Sequence, residues 1–333
     1  MKRATTMQEI AELAGTSVAT VSRVINRNGR YSKETEARVL KVIRENGYVP
    51  NESAKGLRTT RTQTIGVVVP DITNPHFSSL VNKIETGMFE RGYSCIICNT
   101  NESEQLEIKH IQSLRAQNVS GIVLISCLRY HAEFRNLPTV YLDRPAKDTA
   151  INEGIMICSD NDQGGYLATK ELLAAGCKKI LVVKAHGDDI NQIIRFQGAM
   201  RALEEENIRF AKDMLLDLDH VSIKQAEREM DAFLKKKKIP DGIMTTTDTI
   251  AAGVYLSLRK AGLHVPEDIR LTGFDDCYLA ESCGPGLTSV HQDVSRMAAM
   301  AIDFIMRRLK GDVVEDGRYY LPVTLTRRES TAY

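Results

Sequence analysis

The sequence predicts an α/β protein: a small all-α helix-turn-helix head followed by a larger body of doubly wound parallel sheets. Three observations carry that expectation. Two short amphipathic stretches within residues 6–25 flank a tight turn that holds Gly15. From residue 64 onward, β-branched apolar runs alternate with amphipathic helical stretches. Charge divides along the same line, with 12 Lys/Arg against 6 Asp/Glu in residues 1–62 and 32 against 37 in the rest of the 333 residues. The formal net charge of +1 hides this asymmetry. A basic head on an acidic body points to a polyanion partner for the head alone.

At about 150 residues per domain, the length allows two domains, or three if one is small. Hydrophobic residues at 43% and 22 glycines give an ordinary globular composition, which excludes a disordered or collagen-like chain. MKRATTMQEI carries positive charge but no signal-type apolar core follows it, and no apolar run reaches membrane-spanning length. The expectation is a cytoplasmic protein with no membrane partner. Seven scattered cysteines fit reduced thiols. Cys95 and Cys98 lie in YSCIICN, which reads as a strand, so they face opposite sides and suit neither a metal nor a disulfide.

In the head, Thr6-Met7-Gln8-Glu9 has capping-box form, and Ile10, Leu13 and Ala14 give a helical stripe ending at Gly15. Ser17 can cap a second helix carrying Val18, Val21, Val24 and Ile25. A third helix, Ser32 to Asn46, is expected to bury Val39, Leu40, Val42 and Ile43 and to end at Gly47. A plain three-helix bundle is the alternative, and the basic charge argues against it. If the second helix enters a major groove, Ser17, Val18, Ala19 and Thr20 face base edges, with Ser22 and Arg23 one turn later. Val18 and Ala19 can read only thymine methyls or shape, whereas Arg23 is the natural bidentate reader of guanine. Asn26 and Arg30 complete this candidate set.

The next segment, PNESAKGLR, is too short for a stable isolated helix and contains Gly56. It is either a linker or a helix that forms only with a partner. In the body, each apolar run ends in polar residues: Asp71 to Asn74, Asp143-Arg144, Asp160-Asn161, Thr247-Asp248, Asp275-Asp276 and His291-Gln292-Asp293. Ligands bind beyond the carboxyl ends of parallel strands, and this set of donors and acceptors suits a polyhydroxylated small molecule. Asp and Asn are also favoured as helix N-caps, and any one position fits that reading equally. The set as a whole favours a ligand.

The segments AGTSVATVSRVIN and NGYVPNESAKGLR resemble the head and hinge of the lactose-repressor/galactose-repressor (LacI/GalR) family, and the likeness runs over nearly the whole chain. It implies a hinge that orders on DNA, with Leu57 wedged into the central minor groove and Asn51, Ala54 and Lys55 beside it. It further implies a periplasmic-binding-protein-like body of two doubly wound parallel-sheet subdomains clamping a sugar. The site is similar to the ribose type: Asn74 and Phe77 in TNPHF, Asp143-Arg144, Arg195 in RFQG, Asp275 in GFDD and Gln292 in SVHQ. His76 stands where an aromatic is usual and Thr247 where Asn is usual, which leaves a phosphorylated or larger sugar open. The implied domains are 1–50 for the DNA-binding head and 51–62 for the hinge. An N-terminal subdomain of 63–160 plus 292–321 and a C-terminal subdomain of 161–291 plus 322–333 follow. A homodimer on a near-palindromic double-stranded operator is implied, and no leucine heptads precede Tyr333.

No GxxxxGK[ST] or GxSxG occurs, Gly164-Gly165 make no GxGxxG, and the seven histidines lack paired-ligand spacing. No enzyme, cofactor or metal is therefore expected. Lys235 to Lys238 read as a solvated helix end. A ligand-controlled transcriptional regulator, in the repressor sense, accounts for both head and cleft. A transport or sensory sugar-binding protein leaves the basic head unexplained, and a sugar-modifying enzyme lacks a nucleophile–base set.

Overall fold

The computed structural model describes residues 6–48, 62–126, 128, 137–144, 154–185, 189–236 and 238–332. The chain divides into two units, Met1–Thr62 and Gln63–Tyr333. The hinge candidates Asn51, Ala54, Lys55 and Leu57 lie outside the described residues.

The first unit holds α1 (Met7–Leu13), α2 (Val18–Ile25) and α3 (Lys33–Asn46). The capping box forms at α1: Glu9 N donates to Thr6 Oγ1 at 3.2 Å, and Thr6 N to Glu9 Oε2 at 2.7 Å. Gly15, at φ +56°, turns the chain between α1 and α2 in a conformation that side chains with a Cβ disfavour. Ile10, Ala11, Ala14, Val21, Val24, Val39 and Tyr48 make the small core. Two expected core positions are corrected: Leu13 is 60% exposed and Leu40 is 40% exposed. Each helical residue turns by about 100°, so Leu40 stands off the face shared by Val39, Val42 and Ile43. Leu13 likewise misses the face of Ile10, Ala11 and Ala14. Tyr48 supplies the missing bulk, because the left-handed cap Gly47 turns the chain back over the core.

The second unit contains two six-stranded sheets with matching strand orders. The first uses β1 (Thr64–Val69), β2 (Ser94–Asn99), β3 (Gly121–Ile125), β4 (Thr139–Leu142), β5 (Ile155–Ser159) and β11 (Gly317–Leu321), in the order β11-β5-β4-β3-β1-β2. The second uses β6 (Ile180–Ala185), β7 (Leu215–Leu218), β8 (Gly242–Thr245), β9 (Arg270–Asp275), β10 (Thr288–His291) and β12 (Thr324–Thr326), in the order β12-β10-β9-β8-β6-β7. Ladders within both sheets are parallel except β10–β12. In each, the strand order reverses beside its first strand, which opens a crevice at the carboxyl ends.

Strand alternation places the helices. Ile65, Val67 and Val69 face α4 (Pro75–Phe89) and α11 (Val294–Lys310), while Val68 faces α5 (Glu104–Ala116). Cys95 packs on the first side and Cys98 on the second, so the pair shares no site. Around the second sheet, α6 (Asn161–Ala174) and α7 (Ile190–Glu205) cover one face, and α8 (Ile223–Leu234) and α9 (Asp248–Lys260) the other. A short α10 (Tyr278–Ser282) follows β9. Lys235 is the C-cap of α8, and Lys238 pairs with Asp213.

The chain passes between the sheets three times: from β5 into α6, from β10 into α11, and from β11 into β12. The helices α6 and α7 meet backbone to backbone. A Cβ at Gly165 would lie 1.9 Å from the Arg195 carbonyl oxygen, and one at Gly198 2.0 Å from that of Asp162. Gly165 therefore serves helix packing and fixes where Arg195 stands.

Candidate functional site

The first candidate surface is the outer face of α2. Val21 and Val24 are buried inward, so Ser17, Val18, Ala19 and Arg23 face outward, with Thr20 and Ser22 half-buried. Ser17 Oγ and Thr20 Oγ1 lie 2.9 Å apart in the cap, and Asn26 Nδ2 donates to the Ser22 carbonyl at 2.8 Å. Asn26 is thus tied to its own helix end, while Arg30 is exposed beyond it. The Arg23 stem lies against Gly29, where a Cβ would sit 3.2 Å from Arg23 Cδ.

The second candidate is a buried polar cluster where the carboxyl ends of the two sheets meet. At the end of β4, Asp143 receives Ser126 Oγ–H, lies 3.3 Å from His76 Nε2, and accepts from Asn191 Nδ2 at 3.3 Å. Asn191 belongs to α7, so this last bond crosses from one sheet's layer to the other's. Asn191 Oδ1 accepts from Asn161 Nδ2 at 3.2 Å, and Asn161 Oδ1 from Arg195 Nε at 2.7 Å. Arg195 also donates to the Thr246 carbonyl at 2.7 Å, lies 3.5 Å from Asp275 Oδ1, and stacks 3.6 Å from the Phe274 ring centroid. Gln292 Nε2 donates to Asp275 Oδ1 at 2.7 Å. At the rim, Arg144 bridges Glu102 at 3.1 Å and, across the layers, Asp189 at 3.2 Å.

Three residues of the cluster also carry backbone strain. Asp143, Asp275 and Ser126 have φ of +70°, +111° and +47°, values rare outside glycine. Such strain costs on the order of 1–3 kcal/mol per residue and collects at functional sites.

Charges in the cluster support one another. Burial by itself pulls the His76 pKa down, but the hydrogen bond to Asp143 and the fields of Asp275 and Asp143 carry it above its ordinary value, against Arg195. Burial pushes Asp143 up, yet His76, Arg195 and Ser126 hold it well below the usual carboxylate range. Burial raises Asp275 and Asp248, and Asp275 lifts Asp248 further. Arg144 is held charged by Asp189 and Glu102 in spite of burial. Burial pushes the Cys158 and Cys283 thiols up to about 12, which makes them poor nucleophiles.

The sequence candidates therefore separate. His76, Asp143, Arg195, Asp275 and Gln292 come together in the cluster. Asn74 and Thr247 are N-caps, accepting from His76 N at 3.0 Å and Ile250 N at 3.2 Å. Phe77 is half-buried against the core of the first sheet, with its ring edge-on to His76. Arg144 stands at the rim. Asn161, one of the strand-end polar residues, joins the cluster, whereas Ser126, Asp189, Asn191 and Glu102 are not among the sequence candidates. One signal was available for Asn191: it precedes Arg195 by four residues, which puts both on one helix face.

The family profile described as "Bacterial regulatory proteins, lacI family" matches residues 6–51, and one described as "Periplasmic binding protein-like domain" matches 169–331. The ribose operon repressor of Halalkalibacterium halodurans is 32% identical over 333 residues, covering 98% of this chain and 97% of the relative. The chain belongs to the lacI family. It is a DNA-binding transcriptional regulator with a periplasmic-binding-protein-like body. The regulator is also 30% identical over 312 residues to the HTH-type transcriptional repressor PurR of Histophilus somni, covering 91% and 92% of the two chains. Its fold matches the lac repressor dimer bound to operator and the anti-inducer ONPF, with a TM-score of 0.87 at 24% identity over 99% and 100% of the chains. No helix among the described residues is long and apolar enough to cross a membrane.

Proposed function

We propose that this regulator represses a sugar-utilisation operon, binding a near-palindromic operator as a homodimer in the cytoplasm, and that a small ribose-like sugar in the cleft releases it. The clamp comprises residues 63–160 plus 292–321 and 161–291 plus 322–333, without turnover of the bound sugar. One observation carries the sugar reading. His76 Nδ1, Arg144 Nε, Ser159 Oγ and Gln292 Oε1 are buried without a hydrogen-bond partner among the described residues. A buried polar group left unpaired costs on the order of 1–3 kcal/mol, and four around one cluster ask for a polar ligand.

Likeness to a ribose operon repressor supports the sugar class, and induction follows by analogy with family members that answer free sugars. The exposed face of α2 supports the operator reading: Ser17, Val18, Ala19, Thr20, Ser22 and Arg23 are its base-facing residues, with the hinge residues Asn51, Ala54, Lys55 and Leu57 beside them on DNA.

A thermal-shift panel of free and phosphorylated pentoses, hexoses and disaccharides tests the sugar reading, with an external dye because the chain has no Trp. A ligand at 100 times its Kd stabilises by about 2.7 kcal/mol, a shift of several degrees. The expected result is a clear shift with at least one small sugar. No shift with any would refute a sugar effector. On the DNA side, log affinity should fall against log salt with a slope of about −0.9 per phosphate neutralised. A flat salt response would refute the operator reading.

A further inference from the structure

Asp248 opens α9 with no exposed surface, and the sugar reading gives it no task. Both of its oxygens accept from the protein: Oδ1 from Ser289 Oγ at 2.6 Å, and Oδ2 from Cys277 N at 2.9 Å. Its influence on a ligand therefore runs through its neighbours.

Those neighbours carry the cluster. Ser289 Oγ also accepts from Asp276 N at 3.1 Å. The two amides that follow Asp275 are thus both tied to this one carboxyl group, one directly and one through a hydroxyl. That stretch needs support, because Asp275 and Asp276 stand at φ +111° and +50°, where L residues are rare. Ser289 lies on β10, just before Gln292, whose amide holds Asp275 Oδ1. On the third side, Asp248 follows Thr247, the N-cap of α9, and Thr246, whose carbonyl oxygen seats Arg195.

The adjoining strand leaves room for this group. Gly273 of β9 pairs with Ser289, and a Cβ there would lie 2.2 Å from Asp248 Oδ1. A strand glycine marks such a close approach. An apolar side chain would occupy the space at less cost, since a carboxyl group is expensive to bury.

We infer that Asp248 is a positioning residue for the sugar site: it fixes the backbone after Asp275 and so aims the Asp275 carboxylate, beside Gln292 and Arg195, at the ligand. The inference rests on the sugar reading above and deepens it.

Isothermal titration of the full-length protein with D-ribose, D-glucose, ribose 5-phosphate, glucose 6-phosphate and maltose tests it, with the Tm of each variant measured alongside. Ser289→Ala removes the hydroxyl between Asp248 and Asp276, and Asp248→Ala removes both ties. Ser257→Ala is the comparison: its Oγ donates to Asp231 Oδ1 at 2.7 Å from the same helix, so a buried bond of the same kind is lost elsewhere. Ser289→Ala should weaken the sugar that the unaltered protein binds by about tenfold, the worth of one buried hydrogen bond, and Asp248→Ala by at least as much. Asp248→Asn, which keeps the shape and an acceptor for Cys277 N, should regain most of that loss. Ser257→Ala should lower Tm and change the affinity by less than about twofold. An affinity unchanged in Ser289→Ala, or weakened equally in Ser257→Ala, overturns the inference and leaves the sugar reading standing. Silence from all five sugars on the unaltered protein overturns both. Ser289→Ala decides the matter even if Asp248→Ala fails to fold.

Discussion

His76 and Asp143 hold one another's charge inside the body, and that makes the pair a pH-dependent element of stability. The folded-state pKa of His76 is raised, so its contribution is complete below the unfolded imidazole value of about 6.5 and is lost as pH rises through the raised value. Asp143 is shifted the other way. Its contribution is complete above the unfolded value of about 4 and is lost as pH falls toward the depressed folded value. The Tm difference between the unaltered protein and His76→Gln should be greatest between about pH 4 and 6.5 and shrink as pH rises through the raised His76 value. Scanning calorimetry across that range checks it, and a difference that grows with pH would contradict the pair. In the head, Arg23→Ala should cost ~1–3 kcal/mol on the operator and relax specificity at one base pair. An equal loss on random DNA would make Arg23 a phosphate contact. Asp143, Arg195 and Asp275 were legible because each follows or faces a strand end in a recognisable motif. Asn74 and Thr247 were legible only in kind, since capping and ligand contact ask for the same polar residue at the same place.

At the scale of elements, the close crossing of α6 and α7 sets the geometry of the cluster. Asn161 opens one helix, Asn191 and Arg195 lie on the other, and their bonds run across the contact at Gly165 and Gly198. Ala is a better helix former than Gly by about 1 kcal/mol, so propensity alone predicts that Gly165→Ala stabilises. The clash with the Arg195 carbonyl oxygen predicts the reverse: a loss of ~1–3 kcal/mol and weaker sugar binding as Arg195 shifts. Thermal unfolding decides between them, and an unchanged or higher Tm would contradict the packing account. The strands were readable as β-branched runs, and the head helices as caps followed by stripes. The crossing was not, because Gly164-Gly165 invites comparison with phosphate loops and gives no hint of which helix lies against it. Leu13 and Leu40 were misplaced for a related reason: in helices this short, two stripes about 100° apart fit the sequence equally well, and the packing partners choose between them.

For the whole molecule, two sheets of matching order meet at their carboxyl ends, and among the described residues Asn191 to Asp143 and Asp189 to Arg144 span the meeting. A ligand that completes the unpartnered atoms there favours the arrangement in which the layers meet. This is the differential affinity that a ligand-controlled switch requires. The division into a basic head and an α/β body was legible from charge and periodicity alone. The ligand was not, since its identity depends on which buried atoms the protein leaves unpaired, and that is a property of the packed cluster. Release of the operator by a sugar requires that cleft and head be energetically coupled. A fluorescence-anisotropy titration of full-length protein onto an operator selected from random sequence, with and without the sugar found by thermal shift, tests it most directly. The expected change in operator affinity is about 5- to 150-fold, a coupling of ~1–3 kcal/mol, in the direction of release. An operator affinity that stays constant while the cleft is saturated with sugar would contradict it.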